Sequence, residues 1–296
     1  MIFQSVSVSK ALSICCLAVA FHFYSLQVVE AKEVQHWHTN YAKAVKSATR
    51  HQKRLLILFI NPEKNELAEQ FEDEVLADAG IRSKLKSYEL AKLSTETLFM
   101  VDGEETRLME HDSFSHLYQD HGIAVVDYSN RDSENFGYVV SAFGFRDGRF
   151  RSIKETKTIL ELPPGSLTQR TLIYAVRMHP EQPKSSGGLL RRLLSKATQS
   201  HSELQANITL QGHHSWETRF HEISAKLPAE LVPTEVCAES WPGQNLEDAA
   251  IECVRSWRHS SGHWSAVSDK NVYYGYDMKR GNNGTWYATG IFARKR

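Results

Sequence analysis

Three short stretches near the C-terminus set an imidazole or a carboxylate beside a tryptophan: Gly212-His213-His214-Ser215-Trp216, Glu239-Ser240-Trp241 and Gly262-His263-Trp264. Neutral imidazole nitrogens are good zinc ligands, and a nearby carboxylate can fix a ring tautomer or hold a bound water. Two imidazoles and one carboxylate would bind the metal weakly and leave a position open for water. A rigid scaffold offers such residues to solvent at turns and element ends. The competing reading is structural. With 14 histidines in the chain, a few fall beside aromatic rings by chance, where they would only bond backbone carbonyls.

Thiol chemistry has little to work with. Two of the four cysteines, Cys15 and Cys16, lie in a stretch built like a secretory signal: Lys10, an apolar run from Ala11 to Leu26, then Val29-Glu30-Ala31 before Lys32. Removal of residues 1–31 on export is the expectation. The apolar run is short and broken by His22, which favours a cleaved signal over an anchor. Ile14 before Cys15 is too bulky for a lipoprotein site. Cys237 and Cys253 remain, and an even pair in an exported protein favours a disulfide over two buried free thiols. The chain holds no nucleophile elbow, Walker loop or dinucleotide loop. Asn207-Ile208-Thr209 and Asn283-Gly284-Thr285 match the glycosylation sequon.

The chain has 35 basic and 35 acidic residues and a formal net charge of zero. Interspersed neutrality of this kind gives no footprint for nucleic acid or an anionic membrane surface. At 41% hydrophobic and 24% charged, the composition is that of an ordinary globular protein, and 296 residues are enough for one large domain or two ordinary ones.

Periodicity places the elements. Tyr41, Ala44, Val45 and Ala48 recur at helical spacing, and Leu55 to Ile60 is a short apolar run suited to a strand buried on both faces. A helix follows from Asn65 to Ala77. Tyr88 to Leu93, Gly122 to Tyr128 and Tyr138 to Phe145 are strand-like, the last two flanking a polar turn as a hairpin. Leu167 to Met178 is a helix. His179 to Gly188, rich in Pro, Ser and Gly, is the clearest linker, and Leu189 to Leu210 a further helix. Near the C-terminus an amphipathic helix precedes two aromatic runs, Asn271 to Tyr276 and Gly284 to Phe292.

The strand, helix, strand, hairpin order over residues 36–180 resembles a thioredoxin-like fold, most closely from Lys53 to Val75. That family sets a Cys-x-x-Cys where the helix dipole lowers the thiol pKa. Here the stretch reads Asn61-Pro62-Glu63-Lys64-Asn65-Glu66, and the segment matching the family's cis-proline reads Gly122-Ile123-Ala124-Val125. The resemblance therefore implies the fold without its redox chemistry.

The last third resembles the cysteine-rich secretory, antigen 5 and pathogenesis-related (CAP, or SCP-like) domain. Trp257-x-x-Ser260-x-Gly262-His263, the Gly275-Tyr276 strand and the Trp286-Tyr287-x-x-x-x-Phe292 strand carry the likeness. It implies a cleft in which His263 is the second histidine, His213 or His214 the first, and Glu239 the first acid. In some members the cleft holds zinc. The fourth position has no clear match beyond Glu252, and the family's Asn-x-x-Arg helix is absent. The eight aromatics from Trp241 to Tyr287 would line a groove or, on strands, pack a sheet face.

The expectation is thus an α/β protein: a signal peptide (1–31), a redox-inactive thioredoxin-like domain (36–180), a linker and helix (181–204) and a shortened CAP-type domain (205–296). Its function would be non-catalytic binding or scaffolding in the periplasm or outside the cell. A metal-dependent hydrolase or a lipid- or glycan-binding protein is the alternative, and a thiol-disulfide oxidoreductase the weaker one. No catalytic residue is assigned, zinc is the one cofactor implied, with His213 and His263 as its ligands, and the partner is an extracytoplasmic protein, glycan or lipid.

Overall fold

The computed structural model describes residues 35–296 apart from Asp102 and Gln119. The expected signal peptide lies outside them. Among the described residues no helix is long and apolar enough to cross a membrane. The chain is of the mixed α/β class read from the sequence.

β1 (Trp37–His38) and α1 (Tyr41–His51) lead into β2 (Arg54–Ile60). Asn40 caps α1 by accepting from Lys43 N, and the helix buries Ala44 and Ala48. Leu55 to Phe59 are buried on both faces of β2, as a central strand requires. α2 (Asn65–Phe71) runs on through a π-helical stretch, Glu72–Leu76, to α3 (Ala79–Leu85) and β3 (Tyr88–Ser94). A small hairpin of β4 (Leu98–Val101) and β5 (Glu104–Arg107) follows. The expected second hairpin forms from β6 (Gly122–Val126) and β7 (Val139–Gly144). The sheet order is β1-β3-β2-β6-β7, with β3 parallel to β1 and β2 and the last two pairings antiparallel.

α4 (Ile153–Leu160) and α5 (Leu167–Met178) each start at a capping box, Ser152 with Glu155 and Ser166 with Gln169. α5 is buried from Arg170 to Val176, with its polar members bonded inside: Arg170 Nε to Ser141 Oγ and Thr171 Oγ1 to Leu167 O. Its Leu172, Ile173 and Val176 share one core with Phe143 of β7 and, further along the chain, with Val236, Trp257, Tyr276 and Phe292. Within the segment 179–188, the second half is anchored to the protein. Ser185 and Ser186 are buried, Ser185 Oγ lies 2.6 Å from Tyr276 Oη, and Lys184 N donates to Ser268 O.

A short β8 (Leu189–Leu190) precedes α6 (Arg192–Ile208), α7 (Trp216–Ser224), β9 (Leu231–Glu239), α8 (Leu246–His259), α9 (Ser261–Ser268), β10 (Tyr273–Arg280) and β11 (Trp286–Lys295). Helix begins at Arg192 and not at Leu189 because Leu189 and Leu190 pair with β10. The second sheet runs β8-β10-β11-β9, antiparallel except for β8. α8 buries Leu246, Ala249, Ala250, Cys253, Val254 and Trp257, a stripe at helical spacing that packs on Val236 and Ala238 of β9. α6 and α7 cover the opposite face, where Leu194 and Ile223 meet Leu231 and Ile291. Gly275 lets α6 lie directly on β10, since a Cβ there would come within 2.5 Å of the Leu194 and Ser195 backbone.

Candidate functional site

The buried stripe of α6 is mostly polar: Ser195, whose Oγ has no hydrogen-bond partner among the described residues, then Thr198, His201, Ser202 and Gln205. The last four each have a hydrogen-bonded side-chain atom, although His201 Nδ1 has no partner among the described residues. Thr198 Oγ1 donates to Ser195 O at 2.8 Å. Ser202 Oγ lies 3.0 Å from the Asp277 carbonyl and from Thr289 Oγ1, and Gln205 Nε2 donates to Thr289 Oγ1 at 3.0 Å. The same stripe fixes the loop that follows. Thr209 ends α6 in the left-handed region (φ 52°), Gly212 N donates to Gln205 Oε1 at 3.1 Å, and His201 Nε2 donates to Gly212 O at 2.9 Å. Trp216 N then bonds His213 O and starts α7. His213 is thereby held beside β9 and the first turn of α9.

His213 Nε2 and His263 Nε2 lie 3.3 Å apart, and His213 Nδ1 lies 3.0 Å from Glu235 Oε1. The carboxylate fixes the His213 tautomer: Nδ1–H donates to Glu235, so Nε2 carries the lone pair that faces His263. Glu235, with 1% of its side chain exposed, gives its other oxygen to Arg219, which donates from Nε at 2.9 Å and Nη2 at 2.6 Å. Arg219 Nη1 also holds His214 O at 2.9 Å, and the guanidinium lies 5.6 Å from the Trp216 ring. Cys237 Sγ lies 3.7 Å from both Glu235 Oε1 and His213 Nδ1, and His201 Nε2 is 3.7 Å from Glu235 Oε1.

Burial alone would raise the Glu235 pKa. The bond from His213 and the charges of His201 and Arg219 outweigh it and hold the carboxyl below its usual range. Burial, and then its neighbour His213, push His263 down. Burial pushes His201 down against the pull of Glu235, and pushes the Cys237 thiol well up, with Glu235 adding to it. Cys237 is therefore a protonated thiol, and His263 a neutral donor at neutral pH.

Of the residues picked from sequence, His213 and His263 meet. His214 turns away and bonds Leu210 O at 3.2 Å. Glu239 stands exposed at the end of β9, and its side chain makes no hydrogen bond or ion pair among the described residues. Four residues of strand, about 13 Å, separate it from Glu235, the carboxylate that does reach the histidine. Glu252 pairs with Arg255 on the solvent side of α8. The expected Cys237–Cys253 disulfide is corrected: both thiols are free and buried. Cys237 faces Glu235 and His213, whereas Cys253 packs with Val236 and Ala238, whose side chains leave β9 on the other face. Successive strand residues point opposite ways, so the sheet stands between the sulfurs. Sequence reasoning missed Glu235, Arg219 and His201.

In the N-terminal layer, the loop before α2 is held by polar side chains. Asn61 N donates to His121 Nδ1 at 3.1 Å, and Lys64 Nζ lies 2.9 Å from Asp120.

No protein-family profile matches the chain, and no curated protein matches it. Among solved structures it is similar to an outer surface protein from Borrelia burgdorferi, at 14% sequence identity and a TM-score of 0.30, over 37% of this chain and 78% of that one. No shared fold follows from a score of that size.

Proposed function

We propose that the protein is an exported, non-catalytic binding protein whose C-terminal layer presents a two-histidine site for a divalent transition metal such as zinc. The observation that carries this reading is the 3.3 Å separation of His213 Nε2 and His263 Nε2. Tetrahedral zinc with Zn–N bonds of about 2.0–2.1 Å sets two nitrogen ligands roughly 3.3–3.4 Å apart. The Glu235 bond to His213 Nδ1 supplies the outer-shell support that metal-bound imidazoles require.

A binding role is favoured over a hydrolytic one by the use already made of the acids. Both oxygens of Glu235 are taken, by His213 and Arg219, and Glu239 is remote. Neither carboxylate is left to serve as general base beside the pair. Two protein donors leave coordination positions for water or for a donor on an extracytoplasmic protein, glycan or lipid. The order His213, Trp257-x-x-Ser260-x-Gly262-His263 and the two aromatic strands supports a shortened CAP-type domain here. The mixed five-stranded sheet, with its strand, helix, strand and hairpin, supports a thioredoxin-like layer, redox-inactive because residues 36–180 hold no cysteine.

Zinc calorimetry on the metal-stripped protein tests the site. We expect an affinity on the order of micromolar for a two-donor site, lost in both His213→Ala and His263→Ala. An isotherm that neither substitution alters would refute the proposal.

A further inference from the structure

A second concave surface lies on the far side of Arg219. α6 and α7 enclose a groove of about 640 Å³ whose lining includes Arg191, Arg192, Lys196, Arg219 and Lys226, with Glu222 as the one acidic group among its lining residues. The chain as a whole is neutral, so this is a local segregation of charge. Two outside carboxylates offset part of it. Glu134 pairs with Arg192 at 2.7 Å and Lys196 at 3.0 Å, and Glu235 pairs with Arg219. Five cations against three carboxylates leave an excess of two positive charges in a concavity, where the field is focused.

Two of the cations are held in place before any ligand arrives. Arg219 is fixed by Glu235, His214 O and the Trp216 ring, and Arg191 lies 5.4 Å from the Tyr273 ring. Ordering them costs a ligand little. Lys226 has no ion-pair partner among the described residues and reaches the same space.

We infer that the groove between α6 and α7 is a binding site for a ligand carrying clustered phosphate groups, with Arg191, Arg219, Lys196 and Lys226 as its donors. Phosphate oxygens suit a mixed set of forked guanidiniums and point-charge ammoniums. A single carboxylate would leave most of the donors unused. The clustered phosphates could belong to a soluble oligophosphate or to a phosphoinositide headgroup, whose recognition chemistry is the same.

Inorganic tripolyphosphate titrated into the full protein by calorimetry, and flotation with phosphatidylcholine vesicles with or without phosphatidylinositol 4,5-bisphosphate, test the inference. We expect saturable binding that weakens with added salt. Lys196→Glu/Lys226→Glu should weaken it at least about tenfold, as loss of charge-assisted contacts implies. Lys157→Glu, on the exposed face of α4, should not, and circular dichroism verifies that both variants fold. Binding of tripolyphosphate supports a soluble source, and flotation without tripolyphosphate binding a lipid one. Binding of neither, or binding that the groove variant leaves unchanged, overturns the site.

Discussion

Arg219 and Glu235 form a two-bond ion pair behind His213: Nε and Nη2 both donate to Oε2, at 2.9 and 2.6 Å. The other carboxylate oxygen is thereby left to His213 Nδ1. One buried pair thus sets the His213 tautomer on one side and positions a guanidinium in the basic groove on the other.

Removing the guanidinium strands a buried carboxylate. Arg219→Leu is expected to lower stability by about 3 kcal/mol, as breaking one side of a buried pair does. Arg219→Lys should recover only part of this, since an ammonium cannot supply the fork and reach His214 O together. Urea unfolding measures both. A loss under about 1 kcal/mol would place the pair among solvated surface bridges.

The same carboxyl gives a signed pH dependence. The folded pKa of Glu235 lies below its usual value of 4.5. Its contribution is therefore complete above pH 4.5 and is lost as pH falls through the folded pKa. Relative to Glu235→Gln, the wild type should lose its advantage progressively in acid. A stability gap that stays constant from pH 7 down to about 3 would contradict the assignment.

The sequence carried the regular elements well because burial follows their periods. The apolar run Leu55 to Ile60 became a central strand, and the two aromatic runs near the C-terminus became β10 and β11. The site was half legible. The motifs mark His213 and His263, but the family resemblance points to Glu239, and nothing local shows that β9 ends in solvent there. Glu235 and Cys237 share a face by strand alternation, yet that face is read as polar only once α6 covers it. His201 sits on a buried helix stripe that hydrophobic periodicity discards because Thr198, Ser202 and Gln205 share it. An even cysteine pair does not show which side of the strand each sulfur takes, and here the sheet separates them.

The free thiols should behave accordingly. Iodoacetamide under native conditions should leave Cys237 and Cys253 unmodified, because both are buried and burial raises their pKa. In denaturant without reductant both should alkylate. Peptide mapping that recovers the two joined would restore the disulfide.

Arg170 is an internal strut. The fully buried guanidinium, pushed down to about 9 by burial, donates to Ser141 Oγ at 2.9 Å and to the carbonyls of Leu162 and Pro163 at 2.8 Å each. Arg170→Met keeps much of the side-chain bulk and removes the donor to these groups and to Ile159 O, of which Leu162 O retains Arg54 Nη1 at 3.4 Å. We expect a loss of about 3 kcal/mol, against about 1 kcal/mol for Ser141→Ala, which removes one bond. Equal losses in urea unfolding would show that the carbonyls are satisfied another way.

Asp277 should show the opposite pH sign to Glu235. Its Oδ1 accepts from Met278 N and Thr168 Oγ1, while Oδ2 is buried without a hydrogen bond and lies 3.9 Å from Lys279 Nζ. Burial raises its pKa, and Lys279 and Thr168 pull against it without cancelling it. The folded state then holds the proton more tightly than the unfolded one. The contribution of Asp277 to stability is therefore greatest below the usual aspartate value of 3.8 and declines as pH rises through the folded pKa. Asp277→Asn keeps the acceptor and removes the charge, so its stability relative to wild type should be more favourable at pH 8 than at pH 3. Unfolding of the two proteins in parallel at both pH values decides it. A relative stability that does not change between them means that Asp277 titrates alike folded and unfolded, and its burial then costs nothing in charge.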